Sequence, residues 1–374
     1  MIVGIPKEVK DNEKRVSLTP FGASQLVKSN HKVIIETNAG LGSGFTNKKY
    51  IKAGAEIVES AEEVFSQSDL IVKVKEPQEN EIKLIKEDQL VFTFFHFAAS
   101  KSLTDGILNT GSVSIAYETI HDSDGNLPIL VPMSEVAGRM AVQNGAKCLE
   151  GSMGGKGKLL GGVPGVKPAV VTILGGGIVG ANAAKMASGL GAHVNILDIS
   201  PNRLRYLDDV MPKNVFTVFS DHQNIYDLLP ETDLLIGAVL VVGAKAPNLV
   251  SKSMLSNMKY GSVIVDVAVD QGGCVETCKP TTHKDPTYVV DSILHYCVSN
   301  MPGAVPYTST LALTNITLPY VAQICKYGLE KSLSSDNRLL NGLNMYKKKV
   351  THEGVANTFN LEYVDPSELI HFDT

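Results

Sequence analysis

The sequence has little excess charge of either sign. Its 374 residues carry 34 Lys and Arg against 39 Asp and Glu, a formal net charge of −5. No strong field therefore invites nucleic acid or an acidic membrane surface. Basic patches interleaved with aromatics are also missing, which removes the usual footprint of nucleic-acid binding. Cysteine is sparse and unpatterned. Cys148, Cys274, Cys278, Cys297 and Cys325 are odd in number and scattered, so no disulfide framework is implied. Cys274 and Cys278 are the one close pair. His283 is nearby, but no second pair sits at zinc-site spacing, so both read as small apolar residues and no metal is expected. Long apolar runs are lacking too. "LLIGAVLVVGA" is too short to span a bilayer. The opening "MIVGIPKEVKDNEKR" turns charged after six residues, so it reads as neither signal peptide nor anchor. A cytoplasmic protein without membrane partners is the expectation.

What remains is ordinary for a soluble globular chain: 44% hydrophobic and 20% charged residues. The length suits two domains better than one core. Short β-rich runs alternate with helical patterns throughout. Early strands are expected at 2–5, 32–36, 70–74, 90–95 and 112–116. Most are nearly continuous apolar runs, as in strands buried on both faces of a parallel sheet. Helical stretches such as "PFGASQLVKSN" and "SAEEVFSQS" separate them. This alternation predicts an α/β fold with two doubly wound parallel-sheet domains, the second inserted into the first. The helix over 132–150, which Ser134 could cap, is read as the crossing into the second domain. Residues 151–168 are an irregular glycine-rich lead-in. Later strands are expected at 214–219, 232–241, 261–270 and 287–293. A long helix over 306–330, with Pro319 as a kink, returns the chain. The expected boundaries are 1–131 with 305–374, and 132–304. "GLGSGF" at 40–45 has its third glycine too early for a phosphate loop and is read as a flexible surface loop.

"VVTILGGGIVGANAAKMASGLGAHVNILDIS", from Val170 to Ser200, is the most informative stretch. Gly175, Gly177 and Gly180 fit G-x-G-x-x-G between a strand and a helix. They serve the tight turn, the approach of backbone to pyrophosphate, and the packing of helix on strand. The helix N-terminus offers unpaired N–H groups to phosphates. Asp198 ends the next strand and can accept from a ribose 2′-hydroxyl. It would repel a 2′-phosphate, so NAD is favoured over NADP. Arg203, close by, softens that preference.

Four polar residues fall at or just beyond strand ends, where open α/β sheets bind ligands. Lys75 follows "LIVKV", His96 follows "LVFTFF", and Asp270 ends "VIVDVAVD". Arg15 lies in the loop between the first strand and first helix. Each has a plainer reading. The histidine could be a core residue, Asp270 a turn cap, and Arg15 one solvated charge among several. Lys73 shares a face with Lys75, so either lysine could be the functional one. Together they suit a dehydrogenase. An arginine fork holds a carboxylate, a second cation polarises a carbonyl, and a histidine moves the proton that accompanies hydride loss.

"GIPKEVKDNEKRVSLTP", "VKVKEP", "FFHFAA", "PMSEVAGRMA", the glycine fingerprint and "HYCVSNMPGAVPYTST" together resemble the alanine dehydrogenase family over nearly the whole chain. The resemblance implies reversible oxidation of L-alanine by NAD to pyruvate, ammonia and NADH. It implies that Arg15 and Lys75 contact the substrate carboxylate and carbonyl. His96 would be the acid–base catalyst, with Asp270 its partner. Ser134, Asp198, Arg203, Ser220, Asn300 and Met301 would contact the dinucleotide. A homohexamer is implied as well. Gly176 stands where some members have alanine, and the phenylalanines around His96 in "FFHFAA" are more aromatic than the usual leucine-rich form; neither change is at a residue to which the resemblance gives a role. The nucleotide-binding subunit of proton-translocating transhydrogenase shares the "GIPKE…RV…TP" opening and is the alternative. Saccharopine and opine-type dehydrogenases match less closely. A catalytically silent NAD-binding protein is disfavoured by the joint presence of Arg15, Lys75, His96 and Asp270.

Overall fold

The apolar runs become short strands of two parallel-dominated sheets. The computed structural model describes residues 1–239 and 245–370. Contacts divide the chain into two units, Met1–Met133 with Val305–Thr374, and Ser134–Ala304. In the first unit, β1 (Ile2–Ile5), β2 (Lys32–Glu36), β3 (Glu56–Val58), β4 (Leu70–Val72), β5 (Leu90–Thr93) and β6 (Val113–Ala116) run parallel. Their spatial order is β3-β2-β1-β4-β5-β6, that of a doubly wound sheet. The order reverses between β1 and β4, which pair through Val3 with Leu70 and Gly4 with Ile71. Ile71, Val72, Val91 and Phe92 are fully buried, as strands covered on both faces require. Thr19 caps the Pro20–Lys28 helix by accepting the Gly22 N–H, and Pro20 fits its first position. Ser60 caps the Ala61–Gln67 helix in the same way.

The second unit contains β7 (Val170–Leu174), β8 (His193–Asp198), β9 (Val215–Phe219), β10 (Leu234–Gly237), β11 (Val263–Asp266), β12 (Thr287–Val290) and β13 (Ile293–Tyr296). Their order is β12-β13-β11-β10-β7-β8-β9. This is again a doubly wound arrangement of the Rossmann type. Its order reverses between β7 and β10. The first sheet is completed by β14 (Leu343–Tyr346) and β15 (Lys349–Val350), both antiparallel.

Several expectations need correction. The run 287–293 is not one parallel strand but most of a hairpin, with β12 antiparallel to β13. Asp291 and Ser292 turn the chain at φ 48° and 67°. The strands expected at 70–74, 90–95 and 261–270 stop earlier, at Val72, Thr93 and Asp266. The last residues of the 232–241 run, and the tail 371–374, lie outside the described residues. "GLGSGF" is a packed turn and not a flexible loop: Ser43 is fully buried and its Oγ reaches Lys14 O at 2.9 Å and Thr310 Oγ1 at 2.9 Å. The long helix expected over 306–330 runs Pro306–Tyr327, with Pro319 inside it, and a second helix starts at Leu329.

Candidate active site

The loops leaving the carboxyl ends of β1, β4, β5 and β6 carry the candidate chemistry of the first unit. β1 and β4 flank the point of reversed order, where this architecture leaves a crevice. Arg15 comes from the loop after β1 and is 2% exposed. It is not a solvated charge. Its Nε and Nη2 donate to the two oxygens of Glu13 at 2.7 and 2.5 Å, and Nη1 lies 3.1 Å from Met133 Sδ. The bidentate pair fixes the plane of the fork.

The two lysines after β4 separate cleanly. Lys73 is fully buried and donates to Glu8 at 3.2 Å and Glu81 at 2.6 Å. It is a structural ion cluster, and burial pushes the Glu8 carboxyl up despite the lysine. Lys75 lies three residues past the end of β4 and is half-buried. Among the described residues its ammonium forms no ion pair. Burial first, then the charges of Arg15 and Lys10, hold its pKa below the ordinary lysine range. Its backbone is fixed from two sides. The Lys75 N–H approaches Glu8 Oε1 at 3.4 Å, and Thr93 Oγ1 at the end of β5 donates to Lys75 O at 2.9 Å.

His96 follows Thr93 by three residues and is exposed, so it is not a core histidine. Its φ of 52° is left-handed. Its ring stacks on Phe94 at 5.7 Å. The carboxylate of Glu118, just past β6, accepts the His96 N–H at 2.5 Å and the Phe95 N–H at 3.2 Å. Glu8, Glu13 and Glu118 were all missed in the sequence, where each reads as one more surface acid.

In the second unit the glycine turn has the required geometry. Gly175 sits at φ 101°, and a Cβ on Gly180 would lie 1.8 Å from Gly175 O. A Cβ on Gly177 would meet nothing, so the backbone there is open to approach. Gly177 is also the N-cap of the Ile178–Gly189 helix, which no side chain caps. Its first N–H groups lack intrahelical partners and suit a phosphate. Asp198 Oδ2 accepts the Gly176 N–H at 2.9 Å and Oδ1 the Ser200 N–H at 2.8 Å. Arg203 Nε donates to Gly176 O at 2.6 Å. The Ser220 N–H donates to Asp198 O at 3.0 Å. Asp198, Arg203 and Ser220 therefore gather around one turn.

Ser134 does not cap its helix. That helix starts earlier, at Leu130, because Pro132 is accepted in its first turn. Asp270 does not end a strand but lies four residues past β11, exposed, in the turn Val269–Gln271. Its loop is closed by Asp266, fully buried, which accepts the N–H groups of Ala268, Cys274 and Val275 at 3.0, 2.7 and 3.2 Å. Asn300 has φ 60°, and its carbonyl oxygen lies 3.2 Å from His283 Nε2. Met301, 2% exposed, opens the short helix that follows.

Two family models match, described as the N-terminal domain of alanine dehydrogenase/PNT over residues 4–137 and its C-terminal domain over 141–353. The chain is 53% identical over 370 residues to the alanine dehydrogenase of Halomonas elongata, covering 99% of this chain and 100% of that one. A solved L-alanine dehydrogenase superposes with a TM-score of 0.94 at 51% identity, covering 96% of this chain and 99% of that one. The transhydrogenase from Sinorhizobium meliloti shares the fold, with a TM-score of 0.79 at 23% identity over 94% of this chain and 99% of that one. Among the described residues no helix is long and apolar enough to cross a membrane. Membership of the family that the two models describe implies a nicotinamide dinucleotide-binding domain. The chain belongs to the alanine dehydrogenase/PNT family.

Proposed function

We propose that this chain catalyses the reversible, NAD-dependent oxidative deamination of L-alanine to pyruvate and ammonia. The observation that carries the reading is the placement of Arg15 and Lys75 on the loops after β1 and β4, the two strands that flank the reversed order of the first sheet. A rigid guanidinium and an ammonium of lowered pKa there suit a small 2-oxo or 2-amino acid. The first unit is then the substrate domain and the second the NAD domain. Gly175, Gly177, Gly180 and the 178–189 helix N-terminus would hold the pyrophosphate, and Asp198 the ribose. Ser134, Arg203, Ser220, Asn300 and Met301 are assigned to the rest of the dinucleotide. A bound nicotinamide would supply the hydride acceptor or donor for the substrate α-carbon.

The protein groups do the proton work. Arg15 holds the substrate carboxylate. Lys75 polarises the oxygen that becomes the pyruvate carbonyl. His96 takes a proton from the water that attacks the imine carbon and passes it to the departing ammonia. Asp270 is assigned as its catalytic partner on the likeness to the alanine dehydrogenase family; Asp266 closes the loop that carries it. The sum is L-alanine, NAD⁺ and water going to pyruvate, ammonia, NADH and a proton. The reading includes a cytoplasmic homohexamer, which sedimentation checks. A panel of amino and 2-oxo acids compared by kcat/KM tests the substrate. If L-alanine and pyruvate are not the best pair, the assignment fails.

A further inference from the structure

We propose that Glu118 positions His96 for proton transfer, an inference that rests on the acid–base role just assigned to His96. His96 holds a left-handed backbone at φ 52° and ψ 43°. A residue with a Cβ adopts that conformation rarely. His96 is also exposed, so burial does little to keep it there. The neighbouring segment after β6 grips it twice. Glu118 Oε1 accepts the His96 N–H at 2.5 Å, and both carboxylate oxygens lie 3.2 Å from the Phe95 N–H. Tyr117, fully buried, packs edge-on against Phe94 at 5.0 Å. Phe94 in turn lies parallel to the His96 ring, with 2° between planes. One segment thus sets both the backbone and the ring. Without the carboxylate, two adjacent N–H groups lose their acceptor. The backbone then relaxes toward commoner conformations, and the imidazole swings with it. Glu118 acts through the His96 backbone, so it is a positioning residue and not a catalytic one.

The test compares Glu118→Ala, Glu118→Gln, His96→Ala and the Glu118/His96 double variants in both reaction directions. A displacement of about 1 Å can cost roughly a hundredfold. Glu118→Ala is expected to lower kcat by about tenfold to a hundredfold, with KM for NADH and NADH binding by titration unchanged. Glu118→Gln keeps one acceptor oxygen and shows a smaller loss. Neither substitution lowers kcat further in the His96→Ala background, because the two residues act as one unit. The glutamine variant carries the test if the alanine variant does not fold. Equal losses in both backgrounds, or full turnover in Glu118→Ala, overturn the positioning role. Normal turnover in His96→Ala alone overturns the acid–base assignment and the positioning role with it.

Discussion

Replacing Asp198 separates the turn its carboxylate holds from the ribose contact proposed for it. Its two oxygens offer about four acceptor sites. The Gly176 and Ser200 N–H groups, at 2.9 and 2.8 Å, take two of them. The other sites suit the ribose hydroxyls of NAD. Asp198→Ala removes everything at once. Loss of a hydrogen bond to a charged group costs about 1.5–3 kcal/mol, so NADH binding should weaken roughly tenfold to a hundredfold. The buried Gly176 N–H is left unpaired as well, which costs about 1–3 kcal/mol of stability. Asp198→Asn keeps the shape and one acceptor oxygen but removes the charge. Two like charges 4 Å apart near a protein surface repel by roughly 4 kcal/mol. Relief of that repulsion should improve NADPH binding by at least about a hundredfold, while the remaining oxygen still accepts one of the two turn N–H groups. Arg203 donates to Gly176 O of the same turn, so its charge lies close to position 198. Fluorescence titration of both variants with NADH and NADPH, beside a thermal melt, reads each term. Unchanged NADH affinity in the alanine variant, with unchanged discrimination in the asparagine variant, removes Asp198 from the ribose site.

His96→Ala should cut turnover by about a hundredfold to ten-thousandfold in steady-state assays, with NADH affinity intact. Glu13→Ala leaves Arg15 without its bidentate partner in a buried site, which should cost about 3–5 kcal/mol in denaturant unfolding, whereas Glu13→Gln should cost less. Lys75 has its folded pKa lowered below 10.5. In the window between those values the unfolded chain binds more protons, so this residue's contribution to stability improves as pH rises through it. Pyruvate binding follows the charged form, so kcat/KM for pyruvate should fall as pH climbs through the lowered pKa of the free enzyme. Lys75→Arg, which stays charged, should lose that fall; a profile identical to wild type contradicts the role of Lys75.

The glycine fingerprint was legible because each glycine meets a demand that sequence spacing encodes, as Gly180 against Gly175 O shows. The buried strands were legible for the same reason, since a parallel core needs unbroken apolar runs. The hairpins were not. Lys347 and Lys348 turn β14 into β15 at φ 49° and 68°, and Asp291 and Ser292 turn β12 into β13, without the glycine or asparagine that usually announces such turns. Lys73 and Lys75 looked alike because strand alternation puts both on one face. β4 ends at Val72, so the alternation lapses, and Lys73 turns to Glu8 and Glu81. The glutamates that pin the loops were invisible for a deeper reason. Glu8 and Glu118 accept from backbone N–H groups, and where those point is set by the loop and not by the residue types in it.

Product stoichiometry bears most directly on the central claim. The protein is incubated with L-alanine and NAD at alkaline pH, and NADH, pyruvate and ammonia are each quantified. The account predicts equal amounts of all three, formed only when both substrates are present. NADH absent under those conditions, or NADH appearing without matching pyruvate and ammonia, would contradict it.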